Sequence, residues 1–149
     1  MVTTANGQHF AGLRLILATG VVDELPEIPG LSQRRGKWAL HCPYCHGYEL
    51  DGRPIGVLAA APIAINHALM LPDWAPTTFF INGMFEPNAE QLTSLERHRG
   101  TLERERVISI GGQTDVMLAS GRVIKLEGLF TQPRTRLASP LAALLGCEF

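Results

Sequence analysis

The stretch GRPIGVLAAAPIAINHALML, residues 52–71, holds the pattern that decides the fold. Its part IGVLA, at 55–59, is a short continuous apolar run, which is typical of a strand buried on both faces of a sheet. Pro62 suits the first turn of a helix, and IAINHALML at 63–71 continues that helix. The stretch therefore predicts a strand–turn–helix unit of the kind that builds α/β domains.

The downstream sequence extends this unit. TTFFI at 77–81 is rich in strand formers, and an amphipathic helix begins at Pro87, with Leu92 and Leu95 on its apolar face. Further β-segments are predicted at 106–110, 115–119, 122–126 and within 128–135, with Ser120-Gly121 as a hairpin turn. This order of elements predicts an α/β nucleotide-binding domain with a small antiparallel layer.

The upstream sequence adds two segments. LRLILATG at 13–20 predicts a buried strand that ends in a turn. DELPEIPG at 23–30 contains two prolines and a glycine, so it predicts an extended linker.

Composition excludes several classes of function. Thirteen basic and fourteen acidic residues give a net charge of −1, so nucleic-acid binding has no electrostatic support. The longest apolar run, at 55–65, is too short to cross a membrane, and the first ten residues lack the features of a secretory signal. Three cysteines are too few, and odd in number, for a secreted disulfide framework. We expect a cytoplasmic protein that binds neither nucleic acid nor membrane.

The most informative motif is HCPYCHGYEL, at 41–50. A C-x-x-C pair at the start of a helix suits thiol–disulfide exchange, because the helix terminus and nearby cations favour the thiolate. Pro43 restricts the chain between the cysteines, and Tyr44 adds an apolar cover. The short ring that a disulfide would close is easily reopened, as a cycling disulfide requires.

Other interpretations of the same letters stay open. His41, Cys42, Cys45 and His46 could bind a metal, but adjacent ligands point apart and no second ligand pair completes a tetrahedral site. The letters C-x-x-C-H also match a haem attachment motif, which normally belongs to exported chains. CPYC matches the glutaredoxin active site, although the preceding apolar segment and the missing Pro turn downstream do not fit that fold.

Together with its flanks, the motif resembles a known family. RLILATGVVDELPEIPGL at 14–31, followed by HCPYCHGYEL, resembles the flavin-dependent thioredoxin reductases among the pyridine nucleotide–disulfide oxidoreductases. The His-Gly-Tyr variant is typical of the branch that contains reductases of small dithiol metabolites. The resemblance implies a Rossmann-like FAD/NAD(P)-binding fold with a three-layer ββα architecture. It assigns 1–31 to a remnant of the FAD domain, 32–134 to an NAD(P)-binding-like domain, and 135–149 to the return toward the FAD domain.

The resemblance also implies roles for individual residues. Cys42 and Cys45 would form the redox disulfide, with Cys45 nearer the flavin, and His46 would act as general acid and base. The alternative for His46 is a histidine at the N-terminus of a helix that makes a local hydrogen bond. Thr19 and Gly20 would lie on the FAD side. The implied function is electron exchange between FAD and a thioredoxin-like or small dithiol partner, and the rival class is a non-catalytic interaction module.

Two departures from the family pattern matter. The G-x-G-x-x-G/A turn is replaced by Ala59-Ala60-Ala61-Pro62-Ile63-Ala64, and Ile81-Asn82-Gly83-Met84 stands where relatives place basic residues for a 2′-phosphate. We therefore expect weak or absent NADPH binding. The FAD pyrophosphate motif and the Gly-Asp flavin segment are also missing, so the chain resembles the middle of a reductase. Its strand at 13–18 would leave an apolar surface, through which we expect association with a second copy or a complementary half.

Overall fold

The computed structural model describes residues 1–148, which form two compact units. The larger unit is Asp23–Arg134, and the smaller one consists of Met1–Val22 with the described part of Thr135–Phe149. The larger unit includes the segment that follows Asp23, because Leu25, Ile28 and Leu31 pack into its core.

Residues 1–148 form twelve short strands and four α-helices. The strands are β1 (Val2–Thr3), β2 (His9–Phe10), β3 (Val21–Glu24), β4 (Ala39–Leu40), β5 (Ile55–Leu58), β6 (Thr77–Phe80), β7 (Thr101–Glu103), β8 (Val107–Gly111), β9 (Asp115–Leu118), β10 (Val123–Ile124), β11 (Gly128–Thr131) and β12 (Arg134–Leu137). The helices are α1 (Pro43–His46), α2 (Ile65–Met70), α3 (Ala89–Arg97) and α4 (Leu141–Leu144), and 3-10 turns span Ser32–Arg34, Tyr48–Leu50, Pro62–Ala64 and Leu71–Asp73.

A five-stranded parallel sheet in the order β4-β11-β5-β6-β7 forms the centre of the larger unit. The central strands β5 and β11 are buried along their whole length, as their uninterrupted apolar sequences predict. Because all five strands run the same way, the turns that follow β4 and β5 emerge at one edge of the sheet. In open α/β sheets this carboxyl edge is where ligands bind.

The two faces of the sheet are covered by different layers. Phe79 packs with α2 residues such as Ala68 in one core cluster, whereas its neighbour Phe80 packs with Val116 of the antiparallel sheet in the other. Adjacent strand residues point to opposite faces, so a pair of phenylalanines serves both cores. The antiparallel sheet has the order β10-β9-β8. This arrangement confirms the predicted α/β fold with ββα layers.

Helix α3 shows how closely local sequence determines an element. Asn88 caps its N-terminus by accepting the Gln91 N–H at 2.9 Å, and the Gln91 side chain accepts the Asn88 N–H at 2.9 Å. This reciprocal pair is a capping box. Leu95 is buried against the sheet, so the predicted apolar face is confirmed.

The prediction for residues 13–18 is wrong. No strand is present there, and Leu13 and Ile16 are exposed. A strand needs a partner for its N–H and C=O groups. Among the described residues β1 pairs with β2 and β3 pairs with β12, and neither pairing includes residues 13–18. The expected exposure of an apolar surface in this segment is present, however.

The segment at 23–30 is also more ordered than an extended linker. Asp23 and Glu24 end strand β3, and Leu25 and Ile28 are partly buried against the core cluster that contains Phe80. In addition, no helix among residues 1–148 has the length and apolarity needed to cross a bilayer.

Candidate active site

The two cysteines of the C-x-x-C motif lie at the carboxyl edge of the parallel sheet. Strand β4 ends at Leu40, Cys42 is the N-cap residue of α1, and Cys45 lies within that helix. Their sulfur atoms are 2.6 Å apart as free thiols, with the Cys45 S–H donating to the Cys42 sulfur. We call residues 42–47 the thiol turn. It brings the two predicted redox residues into direct contact.

The hydrogen bond from Cys45 to Cys42 shifts the pKa values of the two thiols in opposite directions. The pKa of Cys42 is lowered, first because the Cys45 thiol donates to it, and also because the backbone N–H groups of Cys45 and Tyr44 favour its thiolate, against the effect of burial. The pKa of Cys45 is raised, first by its hydrogen bond to Cys42, then by burial and by the negative charges of Cys42 and Glu49. The turn therefore favours a thiolate on Cys42 and a protonated thiol on Cys45.

The cause of this asymmetry differs from the expectation. Helix α1 has only four residues, and no cation contributes to the lowered pKa of Cys42. A macrodipole grows with the number of aligned peptides, so one helical turn supplies little of it. The second thiol and the local N–H groups supply the stabilisation instead.

His46 follows Cys45 directly and ends α1 rather than beginning it. Its ring is half-exposed, and its Nδ1 lies 3.4 Å from Glu49 Oε2 in a local contact three residues along the chain. The structure thus gives His46 a carboxylate partner within the same segment as the thiols. His41, which precedes Cys42, is exposed.

Sequence reasoning missed an aromatic residue in contact with the thiol turn. Trp74 lies just after the 3-10 turn Leu71–Asp73, and its ring meets the Tyr44 ring edge to face at a centroid distance of 5.7 Å. A shallow hollow of about 430 Å³ adjoins this contact, lined by Gly47, Tyr48, Glu49, Asp51, Gly52 and Trp74. No local pattern marks Trp74, since thirty residues separate it from Tyr44.

The turn after β5, residues 59–64, is the counterpart of a dinucleotide-binding turn, and we call it the alanine turn. Ala59 and Ala64 have no exposed surface, and their N–H groups donate to Phe80 and Ala61 carbonyls. Pro62 has no N–H to offer. The turn therefore lacks the glycine space that a pyrophosphate needs, and positions 59, 62 and 64 offer it no free N–H group.

The loop after β6 carries no basic side chain for a nucleotide phosphate either. Asn82 adopts a left-handed conformation, with φ +49°, and its Oδ1 accepts the Val107 N–H at 2.9 Å. This bond links the parallel sheet to the first residue of β8. The amide oxygen of Asn82 is therefore engaged within the fold and does not face a ligand.

Thr19 and Gly20, the predicted FAD-side residues, are exposed in the smaller unit. Gly20 has φ +72°, and nothing lies within 4 Å of the position that a Cβ would take there. A flavin pyrophosphate needs backbone in close approach. No described residue closes around Gly20, so the chain forms no cradle at this position.

The described part of the chain contains no cluster of metal ligands. No group of three or more His, Cys, Asp or Glu residues within 1–148 could hold an ion.

Comparison with known proteins places these features in a family. No protein-family model matches the chain. The thioredoxin reductase aclD of Aspergillus oryzae is 40% identical over 120 residues, which are 76% of this chain and 38% of that protein. The thioredoxin reductase sirT of Leptosphaeria maculans is 29% identical, over 99% of this chain and 51% of its own length.

A solved structure agrees with the sequence relatives. The crystal structure of an oxidoreductase from Agrobacterium tumefaciens is 56% identical, with a TM-score of 0.82, over 87% of this chain and 44% of its own. The chain thus spans about half of the length of its relatives, or less. It belongs to the thioredoxin reductase-like oxidoreductases and corresponds to part of their length.

Proposed function

We propose that this chain carries the thiol–disulfide exchange centre of a thioredoxin reductase-like flavoprotein. The observation that carries the proposal is the contact between Cys42 and Cys45 at 2.6 Å, together with the opposite shifts of their pKa values. A low-pKa thiol next to a protonated one is the arrangement that attack and resolution require.

The exchange uses two substitutions at sulfur. The Cys42 thiolate attacks one sulfur of a substrate disulfide, forms a mixed disulfide and releases the other substrate sulfur as a thiolate. Cys45 then transfers its proton to the His46 imidazole and attacks the Cys42 sulfur, and the second substrate sulfur leaves. The substrate gains two electrons, and its two thiolates become a dithiol by taking one proton from His46 and one from water. Cys42 and Cys45 are oxidised to a disulfide. The same steps in reverse oxidise a dithiol substrate.

The substrate class that we propose is a thioredoxin-like protein or a small dithiol. Relatives named thioredoxin reductase support this class. The partial exposure of Cys42 supports it as well, since an external sulfur can reach the attacking thiolate.

FAD is the cofactor that we propose for the longer or partnered form of this protein. The residues described here do not form its site, and the exchange above does not use it. Visible absorption after incubation of the chain with FAD and gel filtration tests this point. We expect no retained flavin band, and a retained band that changes on addition of a dithiol would contradict the expectation.

We further infer that NADPH binds weakly or not at all. The closed alanine turn and the commitment of Asn82 to Val107 support this inference. A saturable NADPH titration at micromolar concentrations would contradict it.

Self-association, or association with a complementary half, is also part of the proposal. In the smaller unit Leu13, Ile16 and Leu144 expose most of their side chains, which favours burial against another chain. Sedimentation velocity over a concentration series tests this. A monomer at all concentrations would contradict self-association.

The decisive experiment measures exchange directly. A Cys147→Ser chain, which removes the remaining thiol, is treated with glutathione disulfide, and the products are followed by mass spectrometry. We expect an internal Cys42–Cys45 disulfide that dithiothreitol reopens. The matched variant Cys45→Ser should stop at a mixed disulfide on Cys42. An inert pair would favour the rival function, a non-catalytic interaction module with the same fold.

A further inference from the structure

The glycine of the thiol turn is required by what surrounds it rather than by its own dihedral angles. Gly47 has φ −60° and ψ −41°, an ordinary helical conformation that any residue adopts. A Cβ at this position, however, would lie 2.5 Å from Cε3 and 2.9 Å from Cζ3 of Trp74, and 2.8 Å from the Pro43 carbonyl oxygen. Real Cβ atoms do not approach carbon so closely. The indole of Trp74 therefore occupies the space where a side chain at residue 47 would begin.

The same indole contacts the turn at a second point. Tyr44 meets Trp74 with an interplanar angle of 75°, the edge-to-face geometry that aromatic pairs prefer. Tyr44 precedes Cys45 and Gly47 follows it by two positions. Trp74 thus contacts the chain on both sides of Cys45.

Trp74 itself is fixed to the core of the larger unit. Its backbone N–H donates to the Leu71 carbonyl at 3.0 Å, and Leu71 has no exposed surface. The next residue, Ala75, is buried, and its carbonyl accepts the Thr77 hydroxyl at 2.8 Å at the start of β6. A rigid platform of this kind can hold a short segment in place.

The thiol turn, in contrast, has few internal restraints. Its backbone bonds are the Cys45 N–H to the Cys42 carbonyl at 3.2 Å and the Gly47 N–H to the Pro43 carbonyl at 2.7 Å. A single helical turn of this length is not stable alone. Its conformation depends on what packs against it.

We propose that Trp74 is a positioning residue of the redox centre. It holds Tyr44 and Gly47 so that the Cys45 sulfur stays in contact with the Cys42 sulfur. This inference rests on the proposed exchange function. A turn held in place gives the two sulfurs a high effective concentration, which favours the internal disulfide over two mixed disulfides. Loosening the turn lowers that concentration.

The test is the equilibrium of the pair with glutathione, in the Cys147→Ser background. In this reaction the two thiols and one glutathione disulfide give the internal disulfide and two glutathione thiols. We expect Trp74→Ala to lower the equilibrium constant by roughly two- to tenfold, the value of an aromatic contact. Trp74→Phe keeps an aromatic ring, so it should lower the equilibrium constant less than Trp74→Ala does. A thermal unfolding curve for each variant establishes that it folds.

Trp38 provides a matched control. It is the only other tryptophan of the chain, and it is 40% exposed against 38% for Trp74. Trp38→Ala should change the equilibrium constant by less than about twofold, the usual range of surface substitutions. Equal effects of Trp74→Ala and Trp38→Ala would overturn the proposal.

A double-mutant cycle gives an independent measurement. Gly47→Ala should shift the equilibrium strongly beside Trp74 and less in a Trp74→Ala chain, because the clash with the indole is then gone and only the one with the Pro43 carbonyl oxygen remains. Additive effects would also overturn the proposal. If the unaltered pair does not react with glutathione disulfide, the proposed function itself fails. If it reacts but is indifferent to Trp74, only the positioning role fails.

Discussion

The thiol turn and the alanine turn leave the same edge of one parallel sheet, yet they offer opposite surfaces to a ligand. In the thiol turn, the polar atoms of Cys42, Cys45 and His46 are at least partly accessible. In the alanine turn, the N–H groups of Ala59 and Ala64 are used internally, and both residues are fully buried.

The difference shows that topology and chemistry are separable within one domain. Both turns follow short buried strands, and both lead into a helix through a proline near its first turn, Pro43 in α1 and Pro62 in the 3-10 turn before α2. Proline in that position fits the backbone of either turn. What distinguishes them is the side chains that the turn carries, so the fold alone does not predict which turn is reactive.

The difference in reactivity between the two turns is tested most directly by altering one residue in each of them. Cys42→Ser should reduce disulfide exchange to the background rate, because the attacking thiolate is gone. Pro62→Ala should leave the rate within about twofold, since Pro62 is exposed and outside the reacting groups. The rates are measured with dithiothreitol and a chromogenic disulfide. A large loss in the Pro62 variant would mean that the alanine turn takes part in the reaction.

The sheet beneath both turns should be the most sensitive point for stability. Phe79→Ala should lower the free energy of unfolding by about 3–5 kcal/mol, because the ring is completely buried and leaves a cavity. The change is measured by urea denaturation. Tyr48→Ala is the control, since this aromatic residue is 93% exposed and should cost no more than about 0.5 kcal/mol. Similar losses in both variants would contradict the packing described here.

The pH dependence of alkylation should show how far the hydrogen bond from Cys45 lowers the pKa of Cys42. Because the pKa of Cys42 is lowered, its thiolate persists below the ordinary thiol range around 8.5, and iodoacetamide should modify it there. Cys45→Ala removes the largest cause, so the midpoint of the rate profile should move to higher pH. Cys45→Ser keeps a hydroxyl donor and should move it less. Peptide mass spectrometry identifies the modified residue, and an unmoved midpoint in Cys45→Ala would contradict the assignment.

The smallest expected effect concerns His67, in the helix that follows the alanine turn. Its pKa is lowered, first by burial and then by the positive charge of His41, and its buried Nδ1 has no hydrogen-bond partner within the described chain. The unfolded state then binds a proton more readily than the folded state, so stability falls as the pH drops below about 6.5.

His67→Gln should reduce this loss of stability between pH 7 and 5. His41→Gln should reduce it less, because it removes only the second cause. Asn66→Ala, an exposed neighbour on the same helix, should keep the original slope. Urea denaturation at several pH values measures all of them. An unchanged slope in His67→Gln would show that another group is responsible.

Elements defined by local patterns could be predicted from the sequence. Strands β5 and β6 and the capped helix α3 follow from apolar runs and from the residues Asn88 and Gln91. Strands β4 and β7 could not be predicted, because these short edge segments are strands only through pairing with β11 and β6. The apolar run at 13–18 failed for the opposite reason, since its pattern is present and its pairing partner is not.

Some contacts of the candidate site could likewise be predicted from the sequence, and others could not. The spacing of Cys42 and Cys45 predicts their contact, because three residues of a helical turn bring their side chains together. Trp74 could not be predicted, because its contact with Tyr44 depends on how the sheet brings distant turns together. Glu49 as the partner of His46 was within reach of the sequence, since the two are three positions apart.

The bond between Asn82 and Val107 limits which residues position 82 can take. A basic residue there would remove a bond that joins the parallel sheet to β8. It would also place a longer side chain at φ +49°, where asparagine is favoured. A cation that could bind phosphate at this position would therefore come at the expense of the stability of the domain.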